Sequence, residues 1–144
     1  MSETALMHDG LTVHHDGPVA RITLDDEGTR NALGLEKMVA LTAHLRANDS
    51  SGSSSVVVID AVGPAFSAGH DMKELCGTDL ETSTEIFDAC IDLMTTIHEI
   101  RQPVIAAVDG IATAAGCQLV AACDLAIATT RSRFATPGVR IGLF

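Results

Sequence analysis

The chain has 144 residues, 47% apolar and 19% charged, which bounds it at one domain and excludes a disordered polypeptide. At this size about 60–70% of the unfolded surface can be buried, enough for a real core. Nine Lys and Arg against nineteen Asp and Glu leave a net charge of −10 at pH 7. A nucleic-acid module needs a basic face, and four Phe with no Trp or Tyr offer little for bases to stack on, so no nucleic-acid partner is expected.

No membrane association is expected either. The uncharged stretch between Asp109 and Asp124 is shorter than the roughly 18 apolar residues a spanning helix needs. The start, Met1-Ser2-Glu3-Thr4, is acidic and has no basic-then-apolar pattern of a secretory signal. Cys76, Cys90, Cys117 and Cys123 form no C-x-x-C pair. They read as free thiols in a reducing compartment, and the expected location is cytoplasmic.

In chain order, residues 11–15 and 18–24 flank Asp16-Gly17, which predicts a hairpin with Ala20, Ile22 and Leu24 on one face. The acidic cluster Asp25-Asp26-Glu27 and Gly28 mark a loop. Residues 34–47 carry Leu35, Met38, Val39, Thr42 and Leu45 at helical spacing. The Ser-rich stretch 48–55 then reads as a surface loop, with an interdomain linker as the alternative. Val56-Val57-Val58-Ile59 predicts a strand buried on both faces. A loop with Gly63, Pro64 and Gly69 precedes a short helix from about Asp71. Residues 84–100 place Ile86, Cys90, Leu93, Met94 and Ile97 on one helical face, with Glu85, Asp88, Asp92 and Glu99 on a solvated one. Buried strands are predicted at 104–108 and 125–128, with an Ala-rich helix over 114–123 between them. Alternating strands and helices predict an α/β fold. No internal repeat of solenoid length is visible. The end, Ile141-Gly142-Leu143-Phe144, is apolar, which predicts a chain cut from something longer or a partner that covers that end.

Two loops can carry chemistry. Ala65 to Leu75 and Asp109 to Gln118 each run from a buried strand through small residues into a helix start. Helix-starting N–H groups are unpaired and can bind an anionic oxygen. Two such loops on neighbouring strands could each aim one N–H at a shared point, making an oxyanion hole. Close packing of small residues is the alternative.

Four stretches together resemble the enoyl-CoA hydratase/isomerase (crotonase) family: Arg30-Asn31-Ala32-Leu33; Val56 to Leu75, with FSAGHDMKEL; the stretch from Gln102, with PVIAAVDG and GCQLVAACDLAIA; and FATPGVRIGLF from Phe134 to Phe144. The ending is similar to a subgroup of hydratase-domain-containing proteins. The resemblance implies a β-β-α spiral over residues 1–144 that binds acyl-CoA, with the C-terminal helical part of the family missing. A homo-trimer or hexamer is the assembly it implies.

The same resemblance implies site residues. The two backbone N–H donors that hold a thioester enolate fall at His70 and Ala115, with Gly116 next in the turn. The backbone contact to adenine falls at Ala68. Arg30, Asn31 and Ala32 match the loop that touches CoA, and Lys73 a basic position near its phosphates. The family's two acid/base glutamates fall at Gln118 and Gly138, where this sequence has an amide and no side chain at all. Paired carboxylates hold and release protons in water addition, and an amide does neither near pH 7. The function the resemblance implies is enoyl-CoA hydratase/isomerase-like chemistry on a CoA thioester, through an enolate held by the His70 and Ala115 N–H groups. The alternatives are a non-catalytic acyl-CoA-binding or assembly subunit, and another family reaction such as thioester hydrolysis. No cofactor is expected beyond the CoA carried by the substrate.

Other candidates have plainer readings. The His70 side chain could act as a base. Asp71 sits where a helix cap belongs, Asp124 where backbone groups need a partner, and Cys117 in a helix start. His14 and His15 point to opposite faces of a strand. The sequence places no second ligand at metal-binding spacing from His8, His44 or His98, so no metal is expected.

Overall fold

The computed structural model describes residues 6–8 and 10–142. The acidic start at Met1–Thr4 and the apolar end at Leu143 and Phe144 lie outside them. The hairpin forms as predicted, from β2 (Leu11–Asp16) and β3 (Val19–Leu24), with β1 (Leu6–His8) added antiparallel to β2. The turn is Gly17-Pro18. A φ of +56° at Gly17 followed by the fixed negative φ of proline suits the twist of a two-residue hairpin. Ala20, Ile22 and Leu24 are buried and the intervening residues are not.

After a 3₁₀ turn at Glu27–Thr29 comes α1 (Leu35–Ser51). It runs one turn beyond the predicted 34–47 because Asn48 is buried and its Oδ1 accepts a hydrogen bond from Ser54. The first half of the stretch 48–55 is thus helix end and the second half a short loop, not a linker. The buried stripe is Met38, Leu41, Thr42 and Leu45, and Val39 is exposed.

The rest of the chain repeats one excursion. β4 (Val56–Ala61), β6 (Val104–Val108) and β8 (Leu125–Ala128) extend the main sheet in parallel, in the order β1-β2-β3-β4-β6-β8. Each is followed by a three-residue strand in a second, parallel sheet: β5 (Ala65–Ser67), β7 (Ile111–Thr113) and β9 (Arg133–Ala135). Each pair then leads into helix: α2 (Met72–Leu75) and α3 (Leu80–Glu99), α4 (Ala115–Ala122), and a 3₁₀ turn at Pro137–Ile141. This is the β-β-α spiral. The excursions differ in length, so no sequence period shows them.

α3 starts at Leu80, earlier than predicted, because the Asp79 side chain caps it by accepting from the Thr82 N–H at 2.8 Å. Its buried residues include all five predicted ones. Ile86, Leu93 and Ile97 join Leu41 and Leu45 of α1 and Ile22, Ile59 and Val104 of the sheet in one core. Each such side chain contributes about 1.5–3 kcal/mol by leaving water. β8 departs from expectation. Its sequence is as apolar as that of a buried strand, yet Leu125 is 61% and Ile127 68% exposed, because among the described residues it is the edge of the main sheet and only its neighbour β6 packs extensively against it. No helix is long and apolar enough to cross a membrane among the described residues.

Candidate oxyanion site

β5 and β7 are paired neighbours, so the loops that leave them run side by side. The first loop is held by a parallel bridge between Leu33 and His70. Leu33 donates its N–H to the Gly69 carbonyl at 2.7 Å and accepts from the Asp71 N–H at 3.4 Å. In this pattern the His70 N–H faces the opposite side, and it has no acceptor among the described residues. In the second loop, Ala115 is the first residue of α4, and the helical ladder begins with Gln118 N–H donating to the Ala114 carbonyl at 3.0 Å. The Ala115 N–H therefore also has no acceptor among the described residues.

The loops touch. Gly69 has φ +90°, and a Cβ placed on it would lie 2.9 Å from the Thr113 carbonyl oxygen and 3.1 Å from the Ala115 nitrogen. Ala114 has φ +50° and ψ −124°, a conformation that costs a non-glycine residue about 1–3 kcal/mol. It is held by its N–H donating to the Ala135 carbonyl at 2.9 Å. At Gly116 an added Cβ would lie 2.5 Å from the Ser67 carbonyl oxygen, so α4 starts directly against β5. Thr113 Oγ1 donates to the Ala68 carbonyl at 3.1 Å and ties the two loops once more. No sequence signal marks Ala114 or Thr113, because alanine favours helix and threonine β-strand in ordinary settings.

The other predicted residues surround this junction in different ways. Ala68 is exposed and its N–H donates to the Arg30 carbonyl at 3.0 Å. Arg30 and Lys73 are exposed, and neither is in an ion pair among the described residues. Asn31 is fully buried. Its Nδ2 donates to the Val62 and Ala65 carbonyls at 2.8 Å each, and its Oδ1 accepts from the Asp26 N–H. Its side chain thus works inside the fold, bracing the loop between β4 and β5. Ala32 is buried, and its carbonyl accepts from Lys37 Nζ, which also pairs with Asp26 at 2.9 Å. Gln118 is exposed one turn into α4, and Gly138 lies in the 3₁₀ turn three residues past Ala135. The Ala114–Ala135 bond therefore sets both within a turn of one junction.

His70 packs its ring edge-on against Phe87 of α3, centroids 5.1 Å apart. Nδ1 is buried with no hydrogen-bond partner among the described residues. Burial lowers the ring's pKa, against the Leu33 carbonyl and the Glu74 carboxylate, which raise it. Asp71 caps α2 by accepting from the Lys73 N–H, and Asp124 Oδ2 accepts from the Val104 N–H at 2.7 Å, as their positions predict. Cys117 is half-buried and free; Cys123 is pushed up to about 12 by burial and Asp124. Among the described residues no three His, Cys, Asp or Glu gather to hold a metal. The larger groove, about 590 Å³ between α1 and α3, contains none of the predicted site residues. A smaller one of about 190 Å³ lies beside Ala32, Gly34, Asp71 and Glu74.

Residues 14–144 match the family described as enoyl-CoA hydratase/isomerase. The chain belongs to that family and corresponds to its N-terminal portion. Within the family it falls with the hydratase-domain-containing proteins. It is 47% identical over 131 residues to enoyl-CoA hydratase domain-containing protein 3, mitochondrial, of Danio rerio, covering 89% of this chain and 45% of that protein. It is 33% identical to the 2,3-dehydroadipyl-CoA hydratase of Escherichia coli, over 92% of this chain and 51% of that protein. The crystal structure of human enoyl-CoA hydratase domain-containing protein 3 superposes with a TM-score of 0.90 at 41% identity, over 94% of this chain and 54% of that one. The chain thus spans about half the length of the relatives it matches. The expectation of a cytoplasmic location is corrected: the domain-containing relatives from zebrafish, rat and human are named mitochondrial. Free thiols fit any reducing compartment and do not single out the cytosol.

Proposed function

We propose that the chain binds the thioester of an acyl-CoA with its carbonyl oxygen between the N–H groups of His70 and Ala115, and that this hole stabilises the enolate of the thioester. The observation that supports this reading is the pair of unpaired N–H donors on two touching loops. Fixed donors aimed at developing charge need no reorganisation during reaction, and one such donor is commonly worth about 3 kcal/mol. Only backbone atoms are required, so histidine at position 70 is compatible with the role. A relative named 2,3-dehydroadipyl-CoA hydratase supports the thioester class.

In this reading Arg30 and Lys73 supply local positive charge for the CoA phosphates on an otherwise acidic chain. The Ala68 backbone meets the adenine. Asn31 and Ala32 shape the CoA loop from within, and Gly116 lets α4 approach. Residues 1–144 act as one acyl-CoA-binding domain, and a homo-trimer or hexamer goes with the same proposal. CoA enters as part of the substrate, with no separate cofactor. Gln118 and Gly138 leave both carboxylate positions without an ionisable group, so addition of water by that pair is not part of the proposal. The same two residues favour a second reading, a non-catalytic acyl-CoA binder.

Titration with a short-chain enoyl-CoA tests these readings. Polarisation of the carbonyl red-shifts the conjugated-thioester absorbance, whereas catalytic hydration abolishes it. A red shift without decay supports the hole. Catalytic decay refutes the account of the missing carboxylates. Unchanged absorbance on a bound ligand refutes the hole. Solvent deuterium entering the acyl α-carbon separates an enolate-forming enzyme from a silent binder.

A further inference from the structure

Helix α1 begins without a cap of its own. Its N-cap residue is Gly34, which has no side chain to accept from the first N–H groups. The acceptor comes from 39 residues further along the chain: Glu74 Oε2 accepts from the Leu35 N–H at 2.8 Å. A carboxylate at this point satisfies an unpaired donor and meets the positive end of the helix. Room for it exists because residue 34 is glycine. A Cβ there would lie 2.6 Å from Glu74 Oε1.

Glu74 belongs to α2, the short helix that His70 and Asp71 lead into. Leu33, two residues before Leu35, makes the backbone bridge to His70. The segments 33–35 and 70–74 are therefore fastened twice, once by that bridge and once by the Glu74 cap. The bridge alone includes a long bond, Asp71 N–H to the Leu33 carbonyl at 3.4 Å. We propose that Glu74 is a positioning residue: by capping α1 from α2 it locks the Leu33–His70 bridge and so fixes the direction of the His70 N–H. The proposal rests on the reading of that N–H as a thioester donor.

Three variants of the full chain test it, with circular dichroism to confirm the fold. Glu74→Ala removes the cap. Gly34→Ala displaces the carboxylate without altering it. Glu74→Gln keeps an oxygen acceptor and is the conservative rescue. In the ligand-free chain, hydrogen exchange at the Leu33, Leu35 and Asp71 amides is expected to quicken by about five- to tenfold in the two alanine variants, the scale of a lost cap. Glu74→Gln is expected to stay near the parent. With a short-chain enoyl-CoA bound at saturation, the red shift of the thioester band is expected to shrink in the alanine variants and return in Glu74→Gln. Parental protection in both alanine variants overturns the proposal. So does lost protection with a full red shift, because the cap would then be structural only. A parent chain that shifts no band refutes the hole, and amide protection still decides whether Glu74 holds the two segments together.

Discussion

Replacing Gly116 by alanine puts a methyl group 2.5 Å from the Ser67 carbonyl oxygen, 2.7 Å from its Cβ and 2.8 Å from its Oγ. The first distance falls short of the 3.4 Å of ordinary contact by about 0.9 Å. The atoms it meets cannot swing aside, since Ser67 is fully buried in β5 and its Oγ already accepts from the Gly69 N–H at 3.2 Å. The start of α4 must therefore back away from β5. Alanine gains about 1 kcal/mol of helix propensity over glycine. Overpacking costs about 1–3 kcal/mol, so the net loss of stability is modest, about 0–2 kcal/mol. The effect on the site is larger. The Ala115 N–H is one residue away and moves with the helix start. A displacement of about 1 Å at a reacting centre costs about a hundredfold. The assays are urea denaturation for stability and the red shift and affinity of a bound short-chain enoyl-CoA for the site. A modestly lowered midpoint with a strongly reduced red shift is expected. A parental red shift would refute the placement of the thioester oxygen at the Ala115 N–H.

Three further outcomes are expected. Asn31→Ala leaves the Val62 and Ala65 carbonyls without their buried donor and should lower the free energy of unfolding by about 3 kcal/mol, read from urea midpoints. The His70 ring, lowered by burial, should titrate below 6.5 in an NMR pH series. The unfolded chain then takes up this proton first, so stability is full above pH 6.5 and falls as pH drops toward the folded value; His70→Phe should remove that slope. Asp109, held at about 2 by hydrogen bonds from Arg131 and Thr129, should return toward 3.8 in Arg131→Ala. The contribution of that contact is present above pH 3.8 and is lost as pH falls toward 2.

Some of this protein was written locally in its sequence. The hairpin needed only Asp16-Gly17 between alternating strands. The buried face of α3 needed only apolar residues at helical spacing, and Asp71 announced the cap of α2. The order of the FSAGHDMKEL and GCQLVAACDLAIA stretches was enough to identify the family and the two loops. Other features depended on contacts between distant residues. β5, β7 and β9 have three residues each, too few for a period, and exist because they pair with one another. β8 is apolar by composition and exposed by position, since burial depends on what packs against a strand. Asn31 lies in a loop that the resemblance places beside CoA, and only the fold shows that its side chain braces that loop from inside. The resemblance already points to the His70 and Ala115 N–H groups, but that they lack acceptors among the described residues follows only from the Leu33–His70 bridge and the start of α4. Residue types along a chain set periodicity, turns and caps. Which N–H groups remain unpaired is decided by where distant segments meet.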